Sequence, residues 1–124
     1  MEDRYLFKAK HFEEWHVGNI VKEPDGLYIR DINKDVMAFI DDPSTICQCT
    51  GLKDKRGELI WENDIVVCRD FTEEKYVIAW KQDEACFEYQ QYGCSIMNFE
   101  QLSGCEVEVI GNIFDNAELL ESEV

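Results

Sequence analysis

The chain has 124 residues, of which 45% are hydrophobic and 15 are aromatic, so it is long enough for one compact domain with a real core and too apolar to stay disordered. Its formal net charge is −15, and the stretch from Gln82 to Val124 holds ten Asp and Glu and no Lys or Arg. That balance argues against tight nucleic-acid binding, which needs cations to neutralise phosphates, and no apolar run is long enough to span a bilayer.

The first eight residues, Met1 to Lys8, lack the positive charge and the long apolar run of a signal peptide, so a cytoplasmic setting is expected. Tyr5 to Phe12 begins as a strand led by Tyr5, Leu6 and Phe7. Trp15 and Val17 extend the apolar pattern to Gly18-Asn19, a turn-prone pair. Residues 20–30 read as a hairpin, because Pro24-Asp25-Gly26 combines a fixed φ, a side chain that bonds its own backbone, and a residue that accepts positive φ. Val36 to Ile40 is a short strand, broken by Asp41-Asp42-Pro43-Ser44. This break is the expected boundary between a β-hairpin lobe, residues 1–43, and residues 44–124.

The second part opens with the strand Thr45 to Thr50. Asp54-Lys55-Arg56-Gly57 fits a type I turn ending in a left-handed glycine, and Leu59-Ile60-Trp61 pairs back. Asn63-Asp64 marks a corner before Ile65-Val66-Val67-Cys68, apolar throughout like a strand covered on both faces. Further strands are expected at Tyr76 to Trp80 and Cys86 to Tyr89, with a turn at Tyr92-Gly93; Ser95 to Phe99 fits a strand or a helical turn equally. Cys105 to Ile110 alternates, with Cys105, Val107 and Val109 inward. Gly111-Asn112 marks a bulge or turn, and Asp115 or Asn116 caps a short helix over 117–123. Short, evenly spaced strands with tight turns give a mainly β fold: an SH3-like β-barrel over residues 44–124, packed as one compact unit with the hairpin lobe and finished by the helix.

Six cysteines stand at positions 47, 49, 68, 86, 94 and 105. Most sit in apolar segments, where Cys acts as a small buried hydrophobe. Cys47 and Cys49 share one strand face, and neither their spacing nor that of His11 and His16 matches a zinc site. Reduced, buried thiols are expected, with no metal, no cofactor and no catalytic residue.

The segment Thr45-Ile-Cys-Gln-Cys-Thr-Gly-Leu-Lys-Asp-Lys-Arg-Gly-Glu-Leu-Ile-Trp-Glu-Asn-Asp-Ile-Val66 resembles the hallmark of the YopX-like phage proteins. Arg4 to Lys10 with Trp15 and Gly18 is similar to that family's opening, and Glu108 to Asn116 with Glu118-Leu-Leu120 to its closing. The resemblance implies a phage or prophage protein acting in the bacterial host cytoplasm, and no particular reaction. Cys47 and Cys49 fall at positions that the family pattern leaves open.

Three functions compete. The leading one is a non-enzymatic accessory protein that binds a host or phage protein and can form homo-oligomers, with Trp61, Asp64, Trp80, Tyr89 and Tyr92 as its interaction residues, since aromatic side chains are enriched at interfaces. The acidic last third gives a variant of this reading, a counter-defence inhibitor that mimics nucleic acid. An enzyme would need His11 or His16 with a Cys and an acid, which nothing in the sequence ties together. Weak nucleic-acid binding would use Lys53, Lys55, Arg56, Arg69 and Lys75, against the overall charge.

Overall fold

The computed structural model describes residues 6–67, 75–82, 85–91, 94–98 and 107–121. The fold is mainly β: two antiparallel sheets and one short helical turn. The chain divides into two compact units, Met1–Cys49 and Thr50–Val124.

The first unit is a meander of β1 (Phe7–His11), β2 (Glu14–Glu23), β3 (Gly26–Asp31) and β4 (Val36–Phe39), each paired with the next. The start of β5 (Cys47–Lys53) closes against β1 through Lys8↔Cys47 and Phe7↔Gln48. Alternation along each strand sends Ala9, Ile29, Ala38 and Ile40 into one buried cluster, with Ile20, Leu27 and Ile46 packed against it. Asp42 caps a 3₁₀ turn at Pro43–Thr45, its carboxylate accepting from the Ser44 N–H at 3.1 Å.

The hairpin around Pro24-Asp25-Gly26 forms as the sequence predicts, with Glu23↔Gly26 as its last pair. The expected turn at Gly18-Asn19 does not form, because β2 runs straight through it. The chain reverses at Phe12-Glu13, which carry φ of 46° and 76°, the two positive values of a two-residue type I′ hairpin. Neither residue favours that geometry. It is held from outside, by the Asp41 carboxylate accepting the Phe12 N–H at 2.8 Å and by Lys10 Nζ, 3.5 Å from the Glu13 carboxylate. Gly18 serves close approach instead: a Cβ there would lie 1.7 Å from the Arg30 carbonyl oxygen on β3.

The second unit holds the rest of β5, with β6 (Leu59–Trp61) beside it, and a sheet ordered β10-β9-β8-β7-β11. These strands are β7 (Asp64–Val67), β8 (Lys75–Lys81), β9 (Cys86–Gln91), β10 (Cys94–Asn98) and β11 (Glu108–Asn112). All four residues of β7 are buried, as its unbroken apolar run implies. The undecided stretch after Tyr92 is a strand, β10, antiparallel to β9. The register shift between Val109 and Gly111 is the bulge expected there. Ile60, Val66, Tyr76, Ile78, Tyr89 and Val107 form the core, with Phe87 and Val109 against it. Cys105 and the Tyr92-Gly93 turn lie outside the described residues.

The C-terminal helix is a single turn, α1 (Glu118–Glu121). Asn116 does not cap it through its side chain; its Oδ1 accepts the Asn112 N–H at 3.1 Å, and Asn112 Oδ1 accepts the N–H groups of Phe114 and Asp115. These amides stitch the preceding turn instead. The strand pairings among the described residues form open rows.

Two glycines separate space from backbone conformation. Gly18→Ala meets a backbone carbonyl that cannot move without breaking the β2–β3 ladder, and a loss upwards of about 3 kcal/mol is expected in denaturant melts. Gly57 has open space around its Cβ position but a φ of +87°. Gly57→Ala is expected to cost about 1–2 kcal/mol, the left-handed penalty alone.

Candidate functional site

From Thr50 onward, the hallmark segment resolves into hydrogen bonds between side chains and backbone within the second unit. Thr50 Oγ1 donates to the Ile60 carbonyl at 2.7 Å and accepts the Leu52 N–H at 3.1 Å. Asp54 is buried and accepts three backbone N–H groups, from Arg56, Glu58 and Val109, each at 2.9 Å. Burial pushes the Asp54 carboxyl up, and the bonds from Val109, Glu58 and Arg56, with the Arg56 charge, outweigh it and hold it below the ordinary aspartate range. The Arg56 guanidinium donates to the Val109 carbonyl at 2.8 Å. At the corner, Asn63 takes a φ of 73° and the buried Asp64 carboxylate accepts the Trp61 N–H at 2.8 Å.

The five residues singled out as interaction candidates divide by burial. Trp61, Asp64 and Tyr89 are buried. Tyr89 meets Tyr76 edge-on with ring centroids 6.2 Å apart, so its ring is spent on the core. Trp80 is half-buried, edge-on to Phe87 at 5.0 Å, and its indole N–H donates to Gln82 Oε1 at 2.7 Å. Tyr92 lies outside the described residues. Cys47 and Cys49 are buried thiols and Cys86 a half-buried one.

The first unit holds an ionic cluster that sequence reasoning missed. His16 Nδ1 lies 2.8 Å from Asp31 Oδ2, both side chains buried. The other Asp31 oxygen accepts the N–H groups of Asn33 and Lys34. Burial pushes the Asp31 carboxyl up, but the bonds from His16, Lys34 and Asn33 outweigh it, and the net direction is down. The ionised Asp31 carboxylate accepts from His16 Nδ1, while His16 Nε2 lies 3.6 Å from Glu14 Oε1. The Lys34 ammonium donates to the other Glu14 oxygen at 2.7 Å, which lowers the Glu14 pKa and raises that of Lys34. The one available signal was Asp31-Ile-Asn-Lys34 itself, an aspartate followed by two N–H groups in turn geometry. His11 Nδ1, 2.8 Å from the Phe39 carbonyl, must donate to it. Among the described residues no three His, Cys, Asp or Glu side chains are arranged to hold a metal ion.

Six large hydrophobic side chains are exposed among the described residues, and five of them belong to the first unit: Phe12, Ile32, Val36, Met37 and Phe39, the sixth being Leu52. Residues 7–121 match the family model described as YopX protein. The chain belongs to the YopX family. No curated protein matches it in sequence. In this YopX chain the hallmark aspartates Asp54 and Asp64 hold turns, while five of the six exposed large hydrophobic side chains among the described residues lie upstream of the hallmark and Leu52 lies within it.

Trp61→Ala is expected to destabilise the protein by about 3–5 kcal/mol in thermal or denaturant melts, the usual cost of deleting a buried aromatic. Asp31 and Asp54 have folded pKa values below their unfolded ones, so their stabilisation is complete above the unfolded aspartate value of about 4 and fades as pH falls through the lower folded values. Asp54→Asn should melt below the native chain at pH 7, and the gap should narrow as pH drops below about 4.

Proposed function

We propose that this YopX protein is a phage or prophage accessory protein of the bacterial cytoplasm that acts by binding another macromolecule, not by catalysis. The observation that carries this reading is that five of the six exposed large hydrophobics among the described residues, Phe12, Ile32, Val36, Met37 and Phe39, belong to the first unit, since apolar side chains concentrated on the surface of one part of a folded chain point to interaction. The imidazoles support it: His11 and His16 each commit Nδ1 to a structural acceptor, the Phe39 carbonyl and the Asp31 carboxylate. The half-buried Trp80 is a secondary contact in this reading, and the partner is a host or phage protein. Homo-oligomers are compatible with the same surface. The second unit is read as a small SH3-like barrel, on the strength of its short antiparallel strands β7, β8, β9 and β11.

The ten acidic residues from Gln82 to Val124, without a cation among them, favour a second reading, an acidic inhibitor that occupies a partner's basic groove in place of nucleic acid. Repeated affinity capture of the tagged full chain from phage-carrying host cells tests the proposal. A partner retained through washing is expected; recovery of background alone, or substrate turnover by the purified chain, would overturn it. Loss of that partner to competing polyanion such as heparin would select the mimic reading.

A further inference from the structure

We propose that the outer edge of β4 is a docking site for an extended, basic segment of a partner protein, which adds to the sheet as a further strand. The inference rests on reading the protein as a binding module, and it names the class of partner.

β4 ends its row of strands among the described residues, with β3 on one side only. The Ile40 N–H bonds the Leu27 carbonyl, and antiparallel pairing alternates, so Ala38 and Val36 point their backbone groups toward β3. Met37 and Phe39 therefore point theirs away. The outward Phe39 carbonyl is taken by His11 Nδ1 at 2.8 Å. The N–H and C=O of Met37 and the N–H of Phe39 remain for an added strand. Natural edges are commonly blunted by Lys or Pro, and Val36-Met-Ala-Phe39 contains neither. Three of its four side chains are exposed, so the edge offers apolar anchors on both faces of an added strand.

The end of the β1–β2 hairpin sits near this edge, since its His11 holds the Phe39 carbonyl and its Phe12 N–H bonds Asp41. Phe12 is 66% exposed and is kept in a left-handed conformation that its side chain disfavours. An aromatic fixed outward in this way is a pre-organised anchor.

Charge selects the occupant. β4 is uncharged, but Asp35 precedes it, Asp41 and Asp42 follow it, and Glu13 stands exposed on the neighbouring hairpin end. Of the nearby cations, Lys34 is engaged by Glu14 at 2.7 Å and Lys10 stands 3.5 Å from the Glu13 carboxylate, which leaves Arg30, opposite Met37, as the counterweight to Asp35, Asp41 and Asp42. A second copy would bring the same acidic flanks and a further −15 of charge against them. A segment alternating apolar and Lys or Arg residues fits both the edge and its flanks.

The test uses the full chain, labelled for amide NMR, and an octapeptide of alternating Lys and Val, with alternating Glu and Val as control. The Lys–Val peptide should bind with salt-sensitive affinity and shift the Met37 and Phe39 amides most. Met37→Pro removes an outward N–H without breaking a β3 bond, and Glu13→Gln with Asp35→Asn removes flanking charge; each should weaken binding at least about tenfold. Met37→Lys, which keeps the backbone and adds a repelling cation, should do the same and serves if the proline variant fails to fold. Equal binding of both peptides, shifts centred elsewhere, or self-association that protects β4 while the peptide fails to bind would each overturn the proposal. If an affinity-captured partner stays bound to the Met37→Lys chain, the binding-module reading stands and the β4 edge is wrong; if no partner is ever captured, the module reading itself fails.

Discussion

Buried aspartates that accept backbone N–H groups are the constraint on which this fold depends. A chain of short strands has many turns, and each turn leaves backbone donors that no ladder satisfies. Asp31, Asp54 and Asp64 take up these donors, at the β3–β4 turn, the β5–β6 turn and the β6–β7 corner. Burying a carboxylate alone is costly, and leaving turn N–H groups unpaired is costly; placing one against the other offsets both. Asp54 does more than close its own turn, because it also holds the Val109 N–H from 55 positions along the chain. The β5–β6 turn is thereby fixed to β11, with the Arg56 guanidinium on the adjacent Val109 carbonyl as a second tie.

The same logic accounts for the family's hallmark. Thr50, Asp54, Gly57 and Asp64 each meet a backbone demand, and Trp61 fills space beside them. A motif built to hold turns is expected to persist across proteins that share a fold and differ in partner, because turn geometry tolerates few alternatives.

The two units spend their apolar residues differently. In the second, Tyr76, Ile78 and Tyr89 enter one core, and Trp80 and Phe87 pack edge to face beside it. In the first, Ala9, Ile29, Ala38 and Ile40 make a small core while Val36, Met37 and Phe39 stay exposed to solvent. A four-residue edge strand cannot bury both its faces, so an apolar residue at every position exposes some of them. The strained Phe12-Glu13 turn lies in this same unit and depends on Asp41 and Lys10 from outside it.

What the sequence by itself determined is whatever depends on neighbours along the chain. Pro24-Asp25-Gly26, the Asp54–Gly57 turn, the Asn63-Asp64 corner, the fully buried β7 and the bulge before Gly111 were legible because conformational preference and hydrophobic period are local properties. The family was legible for a related reason: its motif is a contiguous run of such preferences. The tertiary structure alone decided the rest. Gly18 looked like a turn and is a close approach, because the Arg30 carbonyl that forbids a side chain there lies on another strand. Phe12-Glu13 turns against its own preference because Asp41 holds it. Asp31 and His16 are fifteen positions apart and meet only through the β2–β3 register. Tyr89 and Trp80 have similar surroundings in sequence, yet one fills a core and the other reaches Gln82. Burial is set by what packs against a side chain, and apart from its immediate neighbours that information is not carried by the segment in which the side chain sits.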